Sequence, residues 1–163
     1  MTGLDPERAL RTLVEHEVEF CVIGAVAAWL QGSPAVTVDL DVMPRRDLDN
    51  AERLAEALNS IGARQRGNDT PLALEGADFL GWQVQRFETE AGPLDVVPNA
   101  AAFGGYEDVA TIELSLGDLS VRAITIDDVI ASKEELGRPK DAAALPALYA
   151  TREALRQRRQ SGD

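Results

Sequence analysis

The 163-residue sequence contains one cysteine, Cys21, and one histidine, His16, and these two scarcities exclude much chemistry. A lone cysteine cannot form an internal disulfide, and the neighbours of Cys21 in "FCVIG" mark it as a small buried core residue. A lone histidine leaves no HExxH zinc site, no Cys/His zinc cluster and no ordinary Ser-His-Asp triad unless that residue is in the right place. His16 lies between Glu15 and Glu17 on an expected helix, the setting of a surface residue rather than a ligand or a base. Acid and metal chemistry must rest on Asp and Glu.

Positive charge is also scarce, with 16 basic against 28 acidic residues and a net charge of −12. Such a chain repels nucleic-acid backbone at long range, so any nucleic-acid contact must be local. No apolar run approaches the roughly eighteen residues needed to cross a bilayer, and "MTGLDPERAL" lacks the basic-then-apolar order of a signal peptide. A cytoplasmic location with no membrane partner is therefore expected. Length and 45% hydrophobic composition suit a single domain over residues 1–163.

What is present alternates between strand and helix patterns. Asp5 and Pro6 open a helix carrying Leu10, Leu13, Val14 and Val18 at helical spacing and running to about Glu17. "FCVIG" reads as a buried strand ending at Gly24, and "AVAAWLQG" as a short helix closed by Gly32. Residues 36–43 alternate, with Val36, Val38, Leu40 and Val42 on one face and Thr37, Asp39, Asp41 and Met43 on the other. "DLDNAERLAEALNSIG" is a helix, and a polar loop covers about 65–77. "WQVQRFETEAGPLDVVP" is a hairpin turning around Gly92 and Pro93, with Asp95 on its second strand. Strands at "TIELSL" and "SVRAITI" lead to the helix "IDDVIASKEELG", and "RPKD" links it to a final helix ending in "REALRQRRQ". The fold class expected is α/β, a small mixed sheet flanked by helices, with carboxylates on one open face.

The pair Asp39 and Asp41 is the central oddity. Two carboxylates at i and i+2 on a strand share a face and repel unless a cation sits between them or the face is solvated. A divalent ion such as Mg²⁺ would resolve the conflict, and a third carboxylate from a later strand would complete a two-metal clamp for displacement at phosphorus. Asp95, in "PLDVVP", is the candidate third.

At these residues the chain resembles the nucleotidyltransferase superfamily, the DNA polymerase beta-like fold. "VIGAVAAWLQGSPAVTVDLDVMP" carries a glycine turn between strand and helix and then the Asp-x-Asp strand, and Asp95 supplies the later acid. The segment "ITIDDVIASKEELGRPKDAAALPAL" is similar to the closing part of the AbiEii-like branch, toxins of type IV toxin–antitoxin systems. The resemblance covers about residues 18–149. It implies that Asp39, Asp41 and Asp95 hold two Mg²⁺ ions, that an NTP is the substrate, and that Lys133 and Asp141 belong to the active site. It further implies an acceptor hydroxyl on the tRNA 3′ end, a small molecule or a protein, with an antitoxin as a partner.

Residue chemistry can be set beside each part. Gly24 and the amide of Ala25, opening a helix, offer N–H groups to a triphosphate, or Gly24 serves packing alone. Lys133 falls on or beside the apolar stripe of its helix, where it must snorkel or meet an anion. The chain uses fourteen arginines but only two lysines, Lys133 and Lys140, which suits a point charge kept for a phosphate. Asp141 either serves that lysine or caps the last helix. Arg138 and Lys140 either bind phosphate or are solvated, and Arg152, Arg156, Arg158 and Arg159 fit the dipole of a helix C-terminus.

Two positions depart from the family pattern. Ala25 stands where Gly or Ser is usual and tolerates positive φ poorly, and Ala35 stands where an arginine is expected. The sequence thus supports an Mg²⁺-dependent nucleotidyltransferase first and, second, a catalytically degenerate module of the same fold that binds nucleotide or a partner protein. A haloacid-dehalogenase-type phosphatase, suggested by "DLDVM", ranks third because Met43 falls where Thr or Val belongs. Nucleic acid as acceptor requires a basic patch near Arg45, Arg46, Arg64 and Arg66.

Overall fold

The computed structural model describes residues 3–34, 37–70 and 73–162. Helix α1 (Pro6–Glu15) is capped by Asp5, which accepts the backbone N–H of Arg8 at 3.0 Å, and buries Ala9, Leu10 and Leu13. It stops short of the expected Glu17, because Glu17 takes a left-handed φ of 57° that turns the chain toward the sheet. Strand β1 (Phe20–Ile23) is buried along its whole length, and α2 (Gly24–Leu30) follows without a loop.

Strand β2 is Leu40–Pro44, so residues 37–39 of the strand expected over 36–43 precede it, and Val36 lies outside the described residues. Val38 is exposed, and Asp39 lies in the bend that leads into the strand. Helix α3 (Leu48–Ser60) is capped by Asp47 through the N–H of Asn50, and it buries Leu54, Ala55 and Leu58. Where a loop over 65–77 is expected, Arg64–Gln65 form a short strand β3 and Gly76–Phe79 a turn of 3₁₀ helix.

Strands β4 (Gln85–Thr89) and β5 (Gly92–Val96) form the hairpin, but it turns at Glu90 and Ala91 rather than at Gly92 and Pro93. Thr89 fixes the turn by donating its hydroxyl to the Gly92 carbonyl and accepting the Ala91 N–H. Gly92 is required for another reason. Its φ is +98°, and a Cβ there would run into the backbone of Gly3 and Leu4, which crosses over the hairpin.

Strands β6 (Thr111–Leu116) and β7 (Leu119–Ile124) are followed by α4 (Ile126–Leu136) and α5 (Pro139–Gln160). "RPKD" is thus not a linker: Arg138 is the N-cap of α5 and Pro139 occupies its first turn. The seven strands form one mixed sheet in the order β3-β4-β5-β2-β1-β7-β6. Strands β1 and β2 at its centre are antiparallel to each other, and each has a parallel neighbour on its other side, β7 and β5 respectively. Helix α2 packs on β1 and β2 and against α4, which in turn packs on α5, while α1 packs on α3 and β7. A single buried cluster runs through these layers, including Leu10, Val22, Leu40, Leu58, Phe87, Leu94 and Ile124. The mixed α/β architecture matches the class expected from sequence.

Candidate active site

The pairing of central strands sets the site. Asp41 on β2 lies in register with Ile23 on β1 and Asp95 on β5, and Asp95 is in register with Arg86 on β4. Side chains in register point to the same face, so Asp41, Asp95 and Arg86 form a row across the sheet. Asp39 reaches the row from the bend before β2. Carboxylate oxygens of Asp39, Asp41 and Asp95 lie within 4.8 Å of one another.

This crowding governs protonation. Asp41 is pushed up to about 7, chiefly by burial and then by the negative charges of Asp39 and Asp95. Asp95 is also raised, again by burial first, with Arg66 opposing the shift. A hard divalent cation prefers oxygen donors and would relieve the repulsion, so the donor set fits Mg²⁺.

Gly24 explains why the turn carries glycine. Its φ is +67°, and a Cβ at that position would collide with Oδ2 of Asp41. Only a residue without a side chain lets α2 start this close to the carboxylate. Ala25 bears no such burden. Among the described residues the only non-glycine positions with positive φ are Glu17 and Ala102, so the strain expected at Ala25 does not arise. Ala35 lies outside the described residues.

The junction of α4 and α5 forms the opposite wall. The Lys133 ammonium lies 3.2 Å from Oδ1 of Asp141, and Arg138 donates from Nε to Oδ2 at 2.6 Å. Asp141 is fully buried and also accepts the backbone N–H of Arg138 at 3.2 Å, so it both caps α5 and anchors the two cations. Its carboxyl is held down to about 2, mainly by the side-chain hydrogen bonds from Arg138.

Between the walls lies a cleft of about 490 Å³. The three aspartates line it with Gly24 and Ala25, and Lys133, Arg138 and Lys140 face it from the α4–α5 side. The structure therefore brings together the sequence-predicted site residues, with Asp141 behind Lys133 rather than on the surface of the cleft.

Sequence reasoning named Arg66 only as part of a basic patch, missing its pairing with Asp95, and missed Arg86 altogether. Arg66 donates from Nη2 to Oδ1 of Asp95 at 3.0 Å and from Nε to Glu88 at 3.2 Å, and Arg86 Nε lies 3.9 Å from Oδ2 of Asp95. Both arginines and Val84 also line an adjoining groove of about 600 Å³ that adds Gln65, Gln83, Gln85 and Asp78. The basic patch expected near Arg45, Arg46, Arg64 and Arg66 is not continuous. Arg45 is tied to Glu19, Asp47 and Glu107, Arg46 lies 3.4 Å over the Trp82 ring, and only Arg66 of the four reaches the cleft.

The fold is the one that nucleotidyltransferases use. It is similar to the lincomycin-bound crystal structure of the lincosamide antibiotic adenylyltransferase LnuA, with a TM-score of 0.63 and 14% identity over 92% of this chain and 99% of that one. It is also similar to a Thermotoga maritima protein assigned as a nucleotidyltransferase (TM-score 0.54, 16% identity, 95% and 96% of the two chains). The solution structure of the antibiotic-resistance factor ANT(2'')-Ia is a third (0.53, 14%, 95% and 91%). No family model matches the chain, and no curated protein matches it in sequence. Among the described residues no helix is long and apolar enough to cross a membrane.

Proposed function

We propose that the chain is an Mg²⁺-dependent nucleotidyltransferase that moves a nucleoside monophosphate from an NTP to an acceptor hydroxyl and releases pyrophosphate. The observation that carries this reading is the convergence of Asp39, Asp41 and Asp95 in a cleft whose other wall presents Lys133, Arg138 and Lys140. Asp39 and Asp41 would hold both of two ions and Asp95 one of them. When bound, such ions neutralise phosphate oxygens and lower the pKa of the attacking hydroxyl.

The chain's own groups do the rest. Lys133 is oriented by Asp141 and offers its remaining N–H donors to the triphosphate. Arg138 and Lys140 extend that positive wall, while Gly24 and the amide of Ala25 approach the phosphates from the carboxylate side. The adjoining groove, reached past Arg66 and Arg86, takes the acceptor and places its hydroxyl beside Asp95.

Among acceptors, we place a small-molecule hydroxyl ahead of the tRNA 3′ end or a protein hydroxyl. The net charge of −12 and the dispersed arginines disfavour a polyanion, and similar folds include two proteins described by their antibiotic substrates or resistance role. The toxin-like branch with a partner antitoxin is the competing fine assignment. Growth arrest on expression, relieved by a co-encoded protein, would favour it.

The direct test incubates the protein with Mg²⁺ and each labelled NTP, adding in turn antibiotic acceptors, total tRNA and cell extract. Asp41→Ala serves as control. Label transferred by wild type and lost in the variant supports the reading, and equal transfer by both removes the proposed site. One observation favours the degenerate module instead: Asp95 already pairs with two guanidinium groups. Nucleotide binding without any transfer would select that alternative.

A further inference from the structure

We infer that Arg66, anchored by Glu88, tunes how strongly the aspartate cluster takes a divalent cation and acts as a positioning residue for Asp95. The inference rests on the metal-dependent reading above. Among the described residues, Asp95 is the member of the cluster that carries ion pairs, to Arg66 at 3.0 Å and more loosely to Arg86 at 3.9 Å. Asp39 and Asp41 have no ion pair among those residues.

The geometry makes the contact a built feature. The guanidinium is planar, and Arg66 donates from Nη2 to Asp95 and from the neighbouring Nε to Glu88 at 3.2 Å, so its plane is held by two carboxylates. Its backbone is fixed as well, because the Arg66 N–H donates to the Arg86 carbonyl at 2.8 Å. Arg66 occupies Oδ1 of Asp95 and leaves Oδ2 toward Arg86, the looser of the two contacts. Two consequences follow from a permanent charge at this place. The rotamer of Asp95 is set before any ion arrives, and the affinity of the cluster for a free cation is lowered by Coulomb repulsion. An ion that brings phosphate ligands with it suffers less from that loss, so the arrangement favours metal delivered with nucleotide over metal held in advance.

Glu88 tunes the same contact in the other direction. Its negative charge draws on the same guanidinium through Nε, and removing it leaves Arg66 to act more fully on Asp95.

The test is direct titration of the full-length protein with Mn²⁺ alone, without nucleotide, followed by electron paramagnetic resonance, in wild type, Arg66→Met, Arg66→Lys, Glu88→Gln and Asp41→Asn. Arg66→Met is expected to bind Mn²⁺ roughly tenfold more tightly, the scale of one neighbouring charge acting on a carboxylate. Arg66→Lys, which keeps the charge, should stay near wild type, and Glu88→Gln should bind a few-fold more weakly. A loosened or unfolded variant would bind more weakly, so tighter binding in Arg66→Met cannot arise from structural damage. If Arg66→Met does not fold, Arg66→Gln, which removes the charge but keeps a donor for Asp95, carries the test through the same gain in affinity. Unchanged or weaker binding in a folded Arg66→Met, or unchanged or tighter binding in Glu88→Gln, overturns the inference while leaving the active site standing. Wild-type binding that is indifferent to Asp41→Asn overturns both.

Discussion

Replacing Asp41 by asparagine should stabilise the metal-free protein at neutral and alkaline pH, although it removes a group assigned to the site. Burial and two neighbouring carboxylates raise Asp41 from 3.8 to about 7. Between those values the folded protein keeps a proton that the unfolded chain has released, so stability falls as pH rises through this window. Three units correspond to about 4 kcal/mol at 1.36 per unit, and because Asp41 still lines an open cleft we take about half of that, roughly 2 kcal/mol. For a chain of this size that is a rise in Tm of about 4–8 °C in the variant. Thermal melts in EDTA from about pH 4 to about pH 8 measure it. The two proteins should melt together at the acid end and diverge as pH rises. Saturating Mg²⁺ should raise the wild type and leave the variant where it was, since asparagine cannot supply the charge that holds the ion. An Asp41→Asn protein that melts below wild type near pH 8 in EDTA, or a gap that does not widen with pH, would refute the account of a strained acidic cluster.

Three further outcomes follow from the same geometry. Gly24→Ala places a Cβ against Asp41 at a left-handed φ, so it should cost about 1–2 kcal/mol in a denaturant melt and abolish the Asp41-dependent response to metal. Lys133→Met should leave the fold in place, because Asp141 keeps Arg138, yet weaken NTP binding by about 1.5–3 kcal/mol in a titration with a fluorescent nucleotide. Asp141→Asn should destabilise the protein by about 2 kcal/mol above pH 4, discounted because Arg138 reaches water, with the difference from wild type shrinking as pH falls toward 2.

Much of the site was legible because the signals were local. A pair of aspartates in an apolar strand, a glycine at a strand-to-helix turn and a lysine beside an apolar stripe each declare a conflict that some ligand or neighbour must resolve. Asp95 was legible as a third acid, and the structure sets it in register with Asp41. Arg86 was not legible, and the reason is a register error of physical origin. Gly92-Pro93 has the composition of a turn, but Gly92 is glycine because Gly3 and Leu4 pass over it. With the turn at Glu90–Ala91, Arg86 faces Asp95; a turn two residues later would have put it elsewhere. The contact of Arg66 with Asp95 was hidden for a simpler reason, since Arg66 lies in what reads as a polar loop and only strand pairing with β4 carries it to the cleft. The length of β2 was overestimated because the alternation at Thr37, Val38 and Asp39 precedes the point where a neighbouring strand pairs with it: β5 pairs from Leu40 and β1 from Asp41.

The cleft joins residues made early with residues made late. Asp39, Asp41 and Asp95 emerge well before Lys133, Arg138 and Asp141 during synthesis, so a growing chain holds the acidic wall with only Arg66 and Arg86 to temper it. The cationic wall that would receive phosphate therefore forms only once the α4–α5 corner has packed against α2.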